Sequence, residues 1–107
     1  MMYGFIRWVK MSKRKIKIKV TEEHIKNAHK TDIIQCPIAL ALKEKLPEYK
    51  MIIVGCRRVL LFRGFNGEHA IGTVTHTMRN FIREFDNGNP VSPSHYTIEI
   101  NEESKDE

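Results

Sequence analysis

Residues Lys15 to Val20 read KIKIKV, and this alternation constrains the fold more than any other feature of the chain. Side chains on a strand project to opposite faces at a period of two. Ile16, Ile18 and Val20 therefore face one way, and Lys15, Lys17 and Lys19 face the other. A row of lysines resists burial under a second layer. The sheet that holds this strand keeps one wet side, and the helices gather mainly on the other. A second alternating segment lies near the far end, where Tyr96, Ile98 and Ile100 interleave with Thr97, Glu99 and Asn101. It predicts the last strand, and Glu99 offsets part of the lysine charge if first and last strands pair.

Between these strands the signals change period. Thr21 is placed as an N-cap with Glu22 and Glu23 in the first turn, so a short helix is expected to about His29. Cys36-Pro37 opens a second helix, with Pro37 at the first position, where its missing N–H costs nothing. Ile38, Ala39, Leu40, Ala41, Leu42 and Leu46 supply its buried surface, and Pro47 ends it. Met51 to Val54 predicts a short central strand, Gly55 to Arg58 a turn, and Val59 to Phe65 another strand. Asn66-Gly67 is a hairpin signal, because both turn positions need positive φ. A two-residue turn there pairs Phe65 with Glu68 and Phe62 with Ile71. Thr75 or Thr77 caps a third helix, whose stripe is Met78, Phe81, Ile82 and Phe85 and whose end is Gly88. The order is β-α-α-β-β-β-α-β. The expected fold is a small single α+β domain, an antiparallel or mixed sheet with helices mainly on one face.

At 107 residues the chain supports one hydrophobic core. We divide it into an arm at 1–14, a domain at 15–101 and an acidic tail at 102–107. The arm joins apolar Tyr3, Phe5, Ile6, Trp8 and Val9 to a basic cluster, with Met11 as an alternative start. Its apolar stretch is shorter than the roughly 20 residues that span a bilayer, and it has no signal-peptide cleavage region. The expected setting is the cytoplasm, without membrane association. Cys36 and Cys56 are expected to be free thiols there, Cys36 buried at the start of its helix. A reactive alternative for Cys36 would draw on the helix dipole and on His24 or His29.

Signatures of catalysis are thin. The chain has no G-x-S-x-G, no phosphate-binding glycine loop and no H-E-x-x-H, and the five histidines are scattered. No enzyme activity, metal site or cofactor is expected. The formal net charge of +5 favours an acidic partner instead. Candidate ligand-binding residues are Arg57 and Arg58 in the turn, Arg63 on the adjoining strand, and Lys17 and Lys19 on the first strand. The alternative reading of the same residues is a solvated face.

Three segments carry a resemblance: VTEEHI at Val20 to Ile25, CPIALAL at Cys36 to Leu42, and FIREFDNGNPVSPSHYTIEI at Phe81 to Ile100. They resemble a family of short uncharacterised proteins of phages, prophages and bacteria. The resemblance spans most of residues 15–100 and departs in the first ten residues and in GCRRVLLFRGFNG. It implies a phage context and no catalytic residue. The expectation is a non-enzymatic accessory protein that binds a nucleotide signal or nucleic acid, acting against host defence. A protein–protein module that inhibits a host protein is the alternative, and a small enzyme comes third. Homo-oligomers are compatible with each.

Overall fold

The computed structural model describes residues 9–64 and 68–105. Its elements are β1 (Val9–Val20), α1 (Glu22–Asn27), α2 (Pro37–Lys45), β2 (Met51–Val54), β3 (Arg58–Phe62), β4 (Glu68–Thr73), α3 (His76–Asp86) and β5 (Ser94–Lys105). The five strands form one antiparallel sheet in the order β1-β5-β4-β3-β2. The α+β architecture and the element order are those expected.

The KIKIKV alternation is realised in full. Ile16, Ile18 and Val20 are buried, whereas Lys15, Lys17 and Lys19 are exposed. Their neighbours on the apolar face are Ile98 and Ile100 of β5, Val59 and Leu61 of β3, and Ile52 and Val54 of β2. Ile38 and Leu42 of α2 and Met78 of α3 pack onto this face with no exposed surface. Phe81 meets Tyr96 of β5 edge-on, with ring centroids 5.8 Å apart, a favoured aromatic geometry.

Helix ends follow local chemistry. The Thr21 hydroxyl accepts from the His24 N–H at 3.2 Å, and the Thr21 N–H donates to His24 Nδ1 at 2.9 Å. This reciprocal capping box satisfies two donors that the first turn would otherwise leave unpaired. At α2 the thiol of Cys36 takes the cap role and accepts from the Ala39 N–H. Thr75, rather than Thr77, caps α3. Gly88 ends α3 at φ +83°, where a side chain would be strained. Helix α1 stops at Asn27, two residues before the expected end.

Four expectations need correction. β1 starts at Val9, not Lys15, and pairs with β5 over its whole length up to Lys105, so β5 runs into the acidic segment. β2 is an edge strand and not a central one; the segment before α2 covers part of its edge, where Val54 N–H donates to the Ile33 carbonyl at 2.9 Å. β3 ends at Phe62. Phe62 lies opposite Glu68 and Leu60 opposite Ile71, with an irregularity between Leu61 and Phe62. From Arg58 to Leu61 this register differs by two residues from the expected one, and at Phe62, past the irregularity, by three. A two-residue shift leaves every side chain on its face, so alternation alone does not detect it. Gly72 lies opposite Val59 of β3 and Ile100 of β5. A Cβ on Gly72 would come within 3.0 Å of Ile100 Cγ2 and 3.1 Å of Ile98 Cδ1. The Asn66-Gly67 turn and the aromatic residues of the N-terminal arm lie outside the described residues.

Phe81→Ala is expected to lower stability by about 3–5 kcal/mol, the range for deleting a well-packed aromatic ring. Urea unfolding followed by circular dichroism measures this, and an unchanged midpoint would contradict the packing of α3 on β5.

Candidate functional site

A cleft of about 420 Å³ opens between the β2–β3 turn and the exposed side of α3. Its apolar surface comes from Ile33, Val54 and Ile82, and its cationic groups are Arg79 and Arg83. These two arginines stand four residues apart on α3, one turn of helix, so they share a side. Cys56 and Asp86 complete the rim.

Local chemistry builds each wall. The β2–β3 turn is closed by Gly55 N–H donating to the Arg58 carbonyl at 2.9 Å. The Arg57 carbonyl accepts from the Val74 N–H, and Arg79 Nη1 donates to the Val74 carbonyl at 3.3 Å. Val74 thereby joins the arginine turn to the start of α3. The third wall is the segment before α2. Asp32 accepts from the N–H groups of Ile34 and Gln35, and His29 N–H donates to the Gln35 carbonyl. Asp86 Oδ1 accepts from the Thr31 N–H at 2.8 Å. Thr31 sits at φ 56°, a conformation that is strained for a β-branched residue. These bonds hold Ile33 over the cleft with 52% of its surface exposed. Arg79 and Arg83 are exposed, and each guanidinium retains donors beyond its bond to Val74 or to Asn80.

The five candidate residues do not form one surface. Arg57 is exposed in the turn beside the cleft. Arg58 opens β3 on the uncovered face of the sheet, opposite Thr73. Lys17 and Lys19 lie on that same face on β1, at the other side of the sheet. Arg63 belongs elsewhere. Its guanidinium lies 5.1 Å from the Tyr49 ring centroid, and Nη2 is 3.4 Å from the Tyr49 hydroxyl and 3.9 Å from Glu102 Oε2. Tyr49 donates to Glu102 at 2.7 Å, and Arg14 approaches the other carboxylate oxygen at 3.6 Å. Arg63 thus helps neutralise a half-buried carboxylate at one end of the core. Arg79 and Arg83 had no place in the sequence reading, since they lie off the apolar stripe of α3 and look like ordinary solvated positions. Their signal is the four-residue spacing of two arginines flanking Ile82.

Other reactive groups are accounted for locally. Burial pushes the Cys36 thiol up from its ordinary value of 9.0, outweighing the backbone N–H groups that favour the thiolate. Cys56 is free and exposed. Thr21, His24 and Glu44 form a hydroxyl–imidazole–carboxylate array, with Nε2 2.6 Å from Glu44 Oε1. The ring's Nδ1 already accepts from the Thr21 N–H, which leaves Nε2 as the donor to Glu44. The array caps α1 and fastens it to α2. Among the described residues no group of three His, Cys, Asp or Glu side chains converges as metal ligands, and no helix is long and apolar enough to cross a membrane. Comparison with protein-family models, curated proteins and solved structures gives no match to this chain.

Thiol titration should separate the two cysteines, with Cys56 reacting in the native protein and Cys36 only on unfolding. Immediate reaction of both would contradict the burial of Cys36. A pH dependence follows from the same burial. Cys36 and Tyr49 both hold their protons above their ordinary values of 9.0 and 10.0, burial being the first cause in each case. The unfolded chain loses these protons first. The stabilisation is therefore whole below about pH 9 and is lost as pH rises through the folded-state values. Denaturation midpoints should fall as pH rises above about 9, and Cys36→Ala should remove the part that begins there, leaving the Tyr49 part that begins near pH 10.

Proposed function

We propose that this protein binds a small organic anion of the nucleotide class in the cleft between the β2–β3 turn and α3. The observation that carries this reading is the pairing of two neighbouring arginines with an apolar surface in one concavity. Arg79 and Arg83 suit a phosphate, because guanidinium forks offer parallel hydrogen bonds to its oxygens. Ile33, Val54 and Ile82 suit the flat face of a base or another apolar body. Arg57, next to the rim, adds positive potential without occupying the cleft. Asp86 opposes a second phosphate at the α3 end, which favours a ligand with its charge at one end.

The resemblance to short phage and prophage proteins supports a sequestering role over a catalytic one. A protein that removes a host nucleotide signal needs only affinity, for which the cleft offers cations and apolar surface.

Titration calorimetry against mononucleotides, cyclic nucleotides and ADP-ribose-type compounds tests the reading. Binding at micromolar concentration should weaken at least about tenfold in Arg79→Ala and in Arg83→Ala, the loss of one charge-assisted contact. Arg57→Ala should weaken it less, and Lys17→Ala with Lys19→Ala should leave it unchanged. If the unmodified protein binds nothing on this panel, the reading is wrong. If it binds and the α3 variants bind equally well, the ligand lies elsewhere.

A further inference from the structure

The face of the sheet opposite the helices is divided in two. One row runs across all five strands in register: Lys13, Asn101, Ile71, Leu60 and Ile53. Lys15, Lys17 and Lys19 extend its basic end along β1. Phe62 and Met51, opposite each other, extend its apolar end on β3 and β2. Over residues 12–20, 51–64 and 94–102 the face carries the cations Lys13, Lys15, Lys17, Lys19 and Arg58 and the carboxylate Glu99. Its apolar block is only partly shielded: Ile53, Leu60, Phe62 and Ile71 are half-buried and Met51 is 44% exposed.

We propose that this face docks an amphipathic helix of a partner protein, one with an apolar stripe flanked by carboxylates. Width is the first argument. The block spans β4, β3 and β2, two inter-strand gaps or about 10 Å, which matches the diameter of one helix. Charge is the second. A helix laid along β2–β4 brings one flank toward β5 and β1, where the lysines stand about 7 Å apart along the strand. Only an acidic flank is attracted there. The block is aliphatic apart from Phe62, so it suits Leu and Ile side chains better than nucleobases, which need aromatic platforms. A second copy of this chain is disfavoured, because the β1 side of its face is itself basic and offers the lysines no acidic flank. The docked helix would complete a third layer, on the side that the chain's own helices leave bare.

The site is separate from the Arg79–Arg83 cleft, and the test keeps them apart. The probes are three helical peptides about 18 residues long, enough for appreciable isolated helicity. One has a Leu stripe with Glu flanks, one the same stripe with Lys flanks, and one a Ser stripe with Glu flanks. Affinity is read by fluorescence anisotropy and location by amide chemical shifts. The Leu/Glu peptide should bind and perturb Leu60, Ile71 and Lys15. Each control should bind at least about tenfold more weakly, since apolar and charged contacts both contribute. Met51→Glu and Leu60→Glu should weaken binding while circular dichroism stays unchanged, Met51→Glu being the milder change at an exposed position. Arg79→Ala with Arg83→Ala should leave it intact. The proposal falls if the three peptides bind alike or not at all. It also falls if an oligothymidine binds this face more tightly, or if the protein dimerises through it.

Discussion

The insertion of β5 between β1 and β4 is the interaction on which the other elements depend. Ile98 and Ile100 are fully buried at the centre of the sheet, and both lie beside Gly72 of β4. Without β5, β1 has no neighbour, and the β2–β4 meander is a three-stranded sheet with an open edge. α1 and α2 then have no continuous floor, because the path from β1 to β2 runs from one edge of the sheet to the other. The pairing joins residues 9–20 to residues 94–105. Such distant contacts carry a loop-closure cost before they stabilise anything, so folding should be slower than in a helical protein of the same size. Gly72 is the position that admits β5 so closely, since a side chain there would meet two isoleucines at once.

The same strand pair also sets where the core stops. On the helix side of β1, Ile18 and Ile16 give way to Arg14; on β5, Ile98 and Ile100 give way to Glu102. Glu102 keeps only 13% of its side chain exposed, and a carboxylate in that position needs partners. Tyr49, Arg63 and Arg14 supply them from three separate parts of the chain. Charge pairs at such an edge add little stability in water. Their effect here is to let polar residues end an apolar layer without stranding a buried charge.

This explains which parts of the molecule could be read from the sequence. Alternation in KIKIKV and YTIEI identified the first and last strands and the bare face, because one property, burial on one side, dictates the period. The cap at Thr21, the helix start at Cys36-Pro37, the choice of Thr75 or Thr77 and the stop at Gly88 were legible for a local reason, since orphaned N–H groups and positive φ are met within a few residues. The β3–β4 register was not, because a two-residue slip conserves the pattern. Nor was the edge position of β2, whose apolar run is equally suited to a central strand. That the candidate ligand residues do not share one surface was not legible for a similar reason. Arg63 looks from the sequence like Arg58, yet the two project to opposite sides of the sheet, and Arg63 finds Glu102 nearly forty residues later. Arg79 and Arg83 gain their interest only when folding brings Ile33 and Val54 up against them.

Residue type separates the two cationic surfaces as clearly as position does. The cleft uses arginines, whose planar forks hold fixed hydrogen-bond geometry and tolerate an apolar surround. The uncovered sheet face uses lysines, which are strongly hydrated and keep their charge in water at the end of a flexible stem. Lysine on β1 has a second consequence, because β1 is a long edge strand whose outer side pairs with no other strand among the described residues. Charged side chains along such an edge oppose pairing with another chain's edge. The lysine rows thus keep the sheet from extending sideways while leaving its face attractive to carboxylates.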